Sequence, residues 1–268
     1  MSLYKIEAGT AQHIGDREEQ QDRVALLVAP KAPGYVMAVL ADGMGGRSGG
    51  SIAAEQVMRT AKQNFETFSP LTDTVEAILE IIARESHTLI KLNQISSKKE
   101  PHSTYVALVL TPEGSAIWAH VGDSRMYRFA GPNCAEKTTD HSYVEQLISE
   151  GKLERDEAKH HRLSNILVNV LGIDGSDLFV TLGRFDGLQI GDSFLLCSDG
   201  LWNYFEDPEL GAALAMNNPR QASELLIKKA RERAVGTSAD NCSMAIIKLV
   251  TPPEEVKDYT AQKMRRAV

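Results

Sequence analysis

The stretch YVMAVLADGMGG, from Tyr35 to Gly46, decides the fold of this chain of 268 residues. Its first part, Val36 to Ala41, is an unbroken apolar run that is typical of a buried strand. The run stops at Asp42, and three of the next four residues are glycines, which let a backbone bend tightly and approach a ligand closely. We therefore expect a carboxylate at the point where the core meets solvent.

Two further apolar runs end in the same way. Phe194 to Ser198 leads into Asp199-Gly200, Ile117 to Val121 leads into Gly122-Asp123, and a fourth aspartate, Asp240, lies in a late polar loop. Aspartate oxygens are ligands that hard divalent cations prefer, and a cation relieves the repulsion among carboxylates brought together. Each aspartate alone could equally be a turn or cap residue. Jointly, the four predict a site for two divalent ions.

The composition excludes several classes of protein. The chain is 43% hydrophobic and 24% charged, with a net charge of −7. This acidic balance disfavours nucleic-acid binding, which normally uses a basic surface. No apolar stretch approaches the ~20 residues that span a bilayer, and the N-terminal MSLYKIEAGT lacks the pattern of a signal peptide. Three widely spaced cysteines favour reduced thiols, so we expect a cytoplasmic protein that does not bind a membrane.

The apolar periodicity predicts an α+β fold with two antiparallel sheets flanked by helices. One helix is expected from Ser48, as its cap, to Phe65. A second, longer helix is expected to follow it and to end at about Gln94. Three strands, at 105–110, 115–121 and 126–129, are predicted to form an antiparallel meander. The sequence contains no internal repeat or linker, so we expect one domain over 1–250 and a loose C-terminal tail over 251–268.

Residues 138–172 are more polar and less regular than their surroundings, and we interpret them as a flap over the site that the aspartates form. Two short helices are expected there, at about 142–150 and 155–160. The histidines of the flap match no zinc spacing, so they are interpreted as surface or capping residues: His141, His160 and His161.

Five motifs occur in order along the chain: Asp42-Gly-Met-Gly-Gly46, Val121-Gly-Asp-Ser-Arg125, Thr139-Asp-His-Ser142, Cys197-Ser-Asp-Gly-Leu-Trp202 and Asp240-Asn241. Together they resemble the motifs of the metal-dependent protein phosphatases, the protein phosphatase 2C family, and more closely those of its bacterial stand-alone serine/threonine members. The resemblance covers roughly residues 8 to 250. It implies a four-layer αββα sandwich with two manganese or magnesium ions, and a weaker third, at one end of the sheets.

The resemblance also implies a role for individual residues. Asp42 would bridge both ions, and the Gly43 carbonyl would bind one of them. The other implied metal ligands are aspartates: Asp199 and Asp240 on the second ion, Asp22 near it, and Asp123 at the weaker third ion. Arg17 would bind the phosphate, for which its planar fork of donors is suited. By residue type alone, a surface ion pair with Asp16, Glu18 or Glu19 is the favoured explanation of Arg17.

The activity implied is hydrolysis of phosphoserine and phosphothreonine in proteins by a metal-activated hydroxide. The substrates would be phosphorylated proteins, the targets of a serine/threonine kinase, in signal transduction. Two alternatives remain: a catalytically silent binding module with the same fold, and another two-metal phosphoesterase such as a nuclease. Several residues depart from the family pattern: Gln20, Gln21, Met44 in place of a common histidine, His102 in place of a glycine, and Ser164 and Asn169 in place of flap arginines.

Overall fold

The computed structural model describes residues 4–45, 49–96, 100–158, 161–175, 177–236 and 238–252. Two five-stranded antiparallel sheets are stacked face to face. The first contains, in order across the sheet, β1 (Lys5–His13), β12 (Cys242–Val250), β11 (Asp192–Cys197), β8 (Arg125–Ala130) and β9 (Asn133–Lys137). The second contains β10 (Thr181–Asp186), β7 (Ser115–Val121), β6 (Tyr105–Leu110), β3 (Val36–Ala41) and β2 (Arg23–Val28).

Helices cover the outer face of each sheet. The second sheet packs against α1 (Gly49–Thr67) and α2 (Val75–Ser96), and the first packs against α5 (Asp199–Trp202), α6 (Asp207–Met216) and α7 (Pro219–Arg233). Three buried apolar clusters fill the two helix–sheet interfaces and the interface between the sheets. The predicted αββα sandwich is therefore confirmed, and its central strands are apolar because both of their faces are covered.

Smaller elements lie at the end of the sandwich where the aspartates meet. A two-stranded ribbon pairs β4 (Gly43–Met44) with β5 (His102–Ser103). The flap contains α3 (Tyr143–Ser149), capped by the Ser142 hydroxyl, and α4 (Arg155–Ala158). Isolated bridges join Ser142 to Leu167 and Ser103 to Leu171, so the flap is attached to the ribbon at its return.

The predicted meander is wrong. Strands β6 and β7 do pair, but β8 belongs to the opposite sheet, where it pairs with β11 and β9. Both edges of β7 are already occupied, by β6 and by β10, so the chain has to cross between the sheets after Val121. Gly122 makes the crossing with φ of +98°, a conformation that glycine adopts readily. Strand β9 was not predicted, because its sequence NCAEK is short and polar.

Several expectations fall on residues outside the described ranges: the Ser48 cap, His160 and the tail beyond residue 252. The last described strand ends at Val250, and the single domain over 1–250 stays a prediction. Among the described residues, no helix is both long enough and apolar enough to cross a membrane.

Candidate metal centre

Five aspartates converge at one end of the sandwich. Burial raises the pKa of Asp42 well above its usual value, and the charges of the other four raise it further. The five aspartates come from five different loops or strand ends: Asp22 before β2, Asp42 after β3, Asp123 after β7, Asp199 after β11 and Asp240 before β12. Antiparallel pairing places the start of one strand beside the end of its neighbour, and this brings the loops together.

Asp22 is the most buried of the five, with 1% of its surface exposed. The Ser198 hydroxyl donates to its Oδ2 at 2.8 Å. The backbone N–H of Ser243 donates to the same hydroxyl oxygen at 3.0 Å, which leaves the Ser198 proton free to point at Asp22. Burial nevertheless dominates, and it raises the pKa of Asp22 to about 6.

Asp199 has a buried oxygen that the described residues leave without a partner. Its Oδ1 is shielded from solvent and accepts no hydrogen bond from them. Burial raises the pKa of Asp199 well above its usual value, followed by the charges of Asp123 and Asp240. A buried carboxylate oxygen without a donor, beside several like charges, is costly unless a cation neutralises it. The donor set therefore fits hard divalent ions.

Gly43 is required by close packing. A Cβ at this position would lie 2.0 Å from the Gly50 carbonyl oxygen and 2.8 Å from the Gln21 carbonyl oxygen. The contact is reciprocal, since a Cβ at Gly50 would lie 2.4 Å from the Gly43 carbonyl oxygen. The start of α1 thus packs directly on the residue that follows Asp42. The Asp42 backbone is fixed as well, because Thr104 Oγ1 accepts from its N–H at 2.9 Å.

Arg17 faces this cluster. Its Nη2 lies 2.5 Å from Oδ2 of Asp240, and the two side chains are 56% and 40% exposed. The predicted surface pairing of Arg17 with an acidic neighbour is therefore replaced by a contact across 223 residues of sequence. Asp16 pairs with Arg231 instead. The charges of Asp199 and Asp42 also act on the Arg17 guanidinium, which places it within their field.

Asn241 is a site residue whose role sequence reasoning missed. Its Nδ2 donates to the carbonyl oxygens of Ile14, at 2.7 Å, and Glu19, at 3.2 Å. Its Oδ1 accepts from the backbone N–H of Gln21 at 2.7 Å. One amide side chain therefore holds the loop that carries Arg17 and Asp22 against the loop that carries Asp240. The motif position was visible in the sequence, but the loop it binds is distant.

Three of the motifs meet around the backbone of Asp123. The Arg125 guanidinium forms two hydrogen bonds to the Asp140 carboxylate, at 2.8 and 2.7 Å. It also stacks over the Trp202 ring at 3.5 Å, and Trp202 Nε1 donates to the Asp123 carbonyl oxygen at 2.9 Å. Burial raises the pKa of the Asp123 carboxyl to about 7, and the charge of Asp140 adds to the effect. These contacts explain why the motifs occur together.

One flap histidine lies elsewhere than expected. His141 is not a surface histidine, because only 7% of it is exposed, and its ring bonds to the Gly122 turn. Asn169 is buried too. His161 accepts from the Leu163 N–H at 3.2 Å within its own turn. Ser164 is partly exposed and contacts only its neighbour Asn165 through its side chain in the described residues.

Met44 and His102 face each other across the β4–β5 ribbon. His102 is partly exposed, and its buried Nδ1 accepts no hydrogen bond from the described residues.

Cys197 is fully buried, and burial raises the pKa of its thiol well above the usual value. A buried thiol held neutral is a poor nucleophile.

The carboxylates converge, but they are not positioned as ligands. Within the described ranges, no group of three or more Asp, Glu, His or Cys side chains is placed so that it could hold an ion as it stands. Asp22 is hydrogen bonded to Ser198, and Asp240 is paired with Arg17. Ion binding would therefore require carboxylates to exchange these protein partners for the ions.

Comparison with known proteins identifies the family. The sequence model described as protein phosphatase 2C matches residues 9–224. Protein phosphatase PhpP of Streptococcus pneumoniae serotype 2 is 30% identical over 238 residues, which cover 87% of this chain and 93% of the relative. The serine/threonine phosphatase stp of Listeria monocytogenes serotype 4b is 33% identical over 179 residues, 64% of this chain and 69% of the relative.

Solved structures agree. The S. agalactiae serine/threonine phosphatase superposes with a TM-score of 0.82 at 27% identity, covering 92% of this chain and 100% of that chain. The catalytic domain of the phosphatase PstP, solved in complex with two manganese ions, has a TM-score of 0.75 over 91% of this chain and 98% of that chain. Its 21% identity makes it a likeness of fold alone. The chain belongs to the protein phosphatase 2C family.

Proposed function

We propose that this protein hydrolyses phosphoserine and phosphothreonine in other proteins, with two Mn²⁺ or Mg²⁺ ions and a weaker third. The family is metal-dependent, and the curated relatives reported above carry phosphatase names. The observation that carries the proposal is the convergence of five aspartates, one of which has a buried oxygen without a partner in the described residues. The free cysteines support the cytoplasm as the place of action.

The proposed ligands follow from position. Asp42 would lie between the two ions, since its carboxyl senses all four other aspartates. Asp199 and Asp240 would hold the second ion, with Asp22 beside it, and the Gly43 carbonyl would bind the first. Asp123 would hold the weaker ion. When bound, such ions supply Lewis acidity and activate a water for in-line attack on phosphorus.

Arg17 is the proposed phosphate-binding residue. Its guanidinium can donate two hydrogen bonds to phosphate oxygens and offset the charge that develops on them. In the structure the same guanidinium forms an ion pair with the Asp240 carboxylate. Phosphate binding at Arg17 therefore requires it to leave that carboxylate. Met44 has no proton to give to the leaving serine oxygen, so no acid is assigned at that position.

The experiment is release of phosphate from a phosphothreonine peptide with and without Mn²⁺. Asp42→Asn and Asp199→Asn should lose activity by a factor of about 100 or more, because a ligand that carries a charge is removed from each. Asp177→Asn, the same change on an exposed residue, is the matched control. Equal rates in wild type and the two site variants would refute the metal centre.

Arg17→Ala should weaken substrate binding while Mn²⁺ binding persists, and Arg17→Lys should recover only part of the loss, since lysine lacks the planar fork. Unchanged kinetics in Arg17→Ala would remove Arg17 from the site. Absence of phosphate release with any divalent ion, in a wild-type protein that still binds ions and phosphopeptides, would instead establish a catalytically silent binding module.

A further inference from the structure

A buried polar network connects the flap to the turn that carries Asp123. Asn169, on the segment by which the flap returns to the sandwich, is 1% exposed. Its Nδ2 donates to Nδ1 of His141 at 2.8 Å and to the Phe179 carbonyl oxygen at 2.7 Å. Both hydrogens of the amide are therefore used. Asn169 joins three segments that are distant in sequence: the flap return, the flap start and the chain leading into β10.

The partners of His141 fix its tautomer. The backbone N–H of Gly122 also donates to Nδ1, at 3.2 Å, so two donors share the single lone pair of this nitrogen, which carries no proton. The proton lies on Nε2, which donates to Thr181 Oγ1 at 2.9 Å. The ring stacks against His120 with centroids 4.4 Å apart. Burial, followed by the charge of His120, lowers the pKa of His141 to about 3, so the ring stays neutral near neutral pH.

The same contacts reach Asp123. The His141 backbone N–H donates to the Gly122 carbonyl oxygen at 2.9 Å, so Gly122 is held on both of its peptide groups. The Val168 N–H donates to the His141 carbonyl oxygen at 2.9 Å, which adds the flap return to the same stack. Gly122 immediately precedes Asp123, whose own carbonyl oxygen is held by Trp202. The backbone of Asp123 is thus clamped between the flap and α5.

We propose that Asn169 and His141 are positioning residues that latch the flap to the Gly122–Asp123 turn, so that the position of the flap sets the affinity of Asp123 for its ion. The inference rests on the proposed function, because it takes Asp123 as the ligand of the weaker ion. The two tighter ions would be held by other aspartates, whose described contacts do not include this network. Loss of the latch should therefore lower the affinity for one ion out of three.

The test is the substitution Asn169→Asp, which changes shape very little. A carboxylate cannot donate to His141 or to the Phe179 carbonyl oxygen, and it repels both acceptors. His141 can relieve the repulsion by taking a proton on Nδ1, and Gly122 then loses its acceptor. If the ring instead moves away from the carboxylate, its hydrogen bond to Gly122 is weakened. Asn165→Asp makes the same change on an exposed residue of the same flap and is the matched control.

Two readouts are independent of catalysis. In calorimetric titration with Mn²⁺ and no substrate, Asn169→Asp should lower the affinity for the weakest-bound ion about tenfold. The affinities for the two tighter ions should not change. In metal-free hydrogen exchange, the Gly122 amide should exchange about tenfold faster. His141→Asn keeps an acceptor near the Nδ1 position and should retain most of the weak-ion affinity, whereas His141→Leu should not. Asn165→Asp should match wild type in both readouts.

Each contrary result overturns the latch. The proposal fails if Asn169→Asp keeps wild-type affinity for the weakest ion, or if Gly122 exchange does not change. It also fails if the affinities for all three ions and the melting temperature fall together, which would show a purely structural role. It fails as well if the wild-type protein binds no third ion. Phosphate release is measured separately. A protein with the expected ion and exchange results but no phosphatase activity would refute the proposed function and leave the latch standing.

Discussion

The metal-free protein should become more stable when Asp22 is replaced by asparagine. Asp22 is almost fully buried, and burial raises its pKa from 3.8 to about 6. One pKa unit corresponds to about 1.4 kcal/mol, so ionised Asp22 costs the metal-free fold about 3 kcal/mol at about pH 8. Asparagine keeps an oxygen that can accept from the Ser198 hydroxyl, and it carries no charge. It also removes one of the charges that raise the pKa of Asp42.

The pH dependence has a definite sign. Because the pKa is higher in the folded state, folded Asp22 binds more protons than unfolded Asp22 between about pH 4 and pH 7. The free energy of unfolding therefore falls as the pH rises through this window. The gain from Asp22→Asn should be about 3 kcal/mol at about pH 8 and about half of that at about pH 5.

The assay is urea unfolding in the presence of a chelator. With a slope of about 1–3 kcal/mol per molar urea, a gain of about 3 kcal/mol moves the midpoint up by about 1 M or more. Asp177→Asn, on the surface, should not move it. Added Mn²⁺ should reverse the order, since ions stabilise the wild type and bind the variant less well. Equal midpoints for wild type and Asp22→Asn at about pH 8 would refute the idea that uncompensated carboxylates destabilise this end of the fold.

Three further outcomes are expected. Arg125→Lys should lower the free energy of unfolding by about 2 kcal/mol, because lysine cannot make the paired hydrogen bonds to Asp140 or stack on Trp202. Urea unfolding measures this change, and an unchanged midpoint would contradict it. Gly43→Ala should lower the melting temperature more than Gly114→Ala, where φ is +88° but the added Cβ meets open space; the reverse order contradicts the packing argument. A thiol reagent should label partly exposed Cys134 about tenfold faster than the two buried cysteines in native protein, as peptide mass spectrometry can show; equal labelling would contradict their burial.

Much of the fold could be predicted because the central strands are buried on both faces. Such strands appear as continuous apolar runs, and the predicted strands at 36–41, 105–110 and 115–121 match β3, β6 and β7 to the residue. Strand β9 was missed because it lies at a sheet edge, where alternating polar side chains give only a weak signal. The meander was wrong for another reason: which sheet accepts β8 depends on the free edges of β7, a property of the assembled sheet.

The candidate site divides in the same way. The sequence by itself determined that Asp42 and Asp199 are candidates, since aspartates that follow apolar runs and precede glycines are placed at strand ends by local structure. Asp22 and Arg17 became candidates only through the resemblance to the family. Only the tertiary structure decided that five aspartates meet, that Arg17 reaches Asp240 and that Asn241 joins their loops. It also placed His141, which the sequence assigned to the surface, in the interior beside Asn169. Burial and hydrogen bonding of a single side chain depend on segments far away in the chain, and no local pattern records which segments those are.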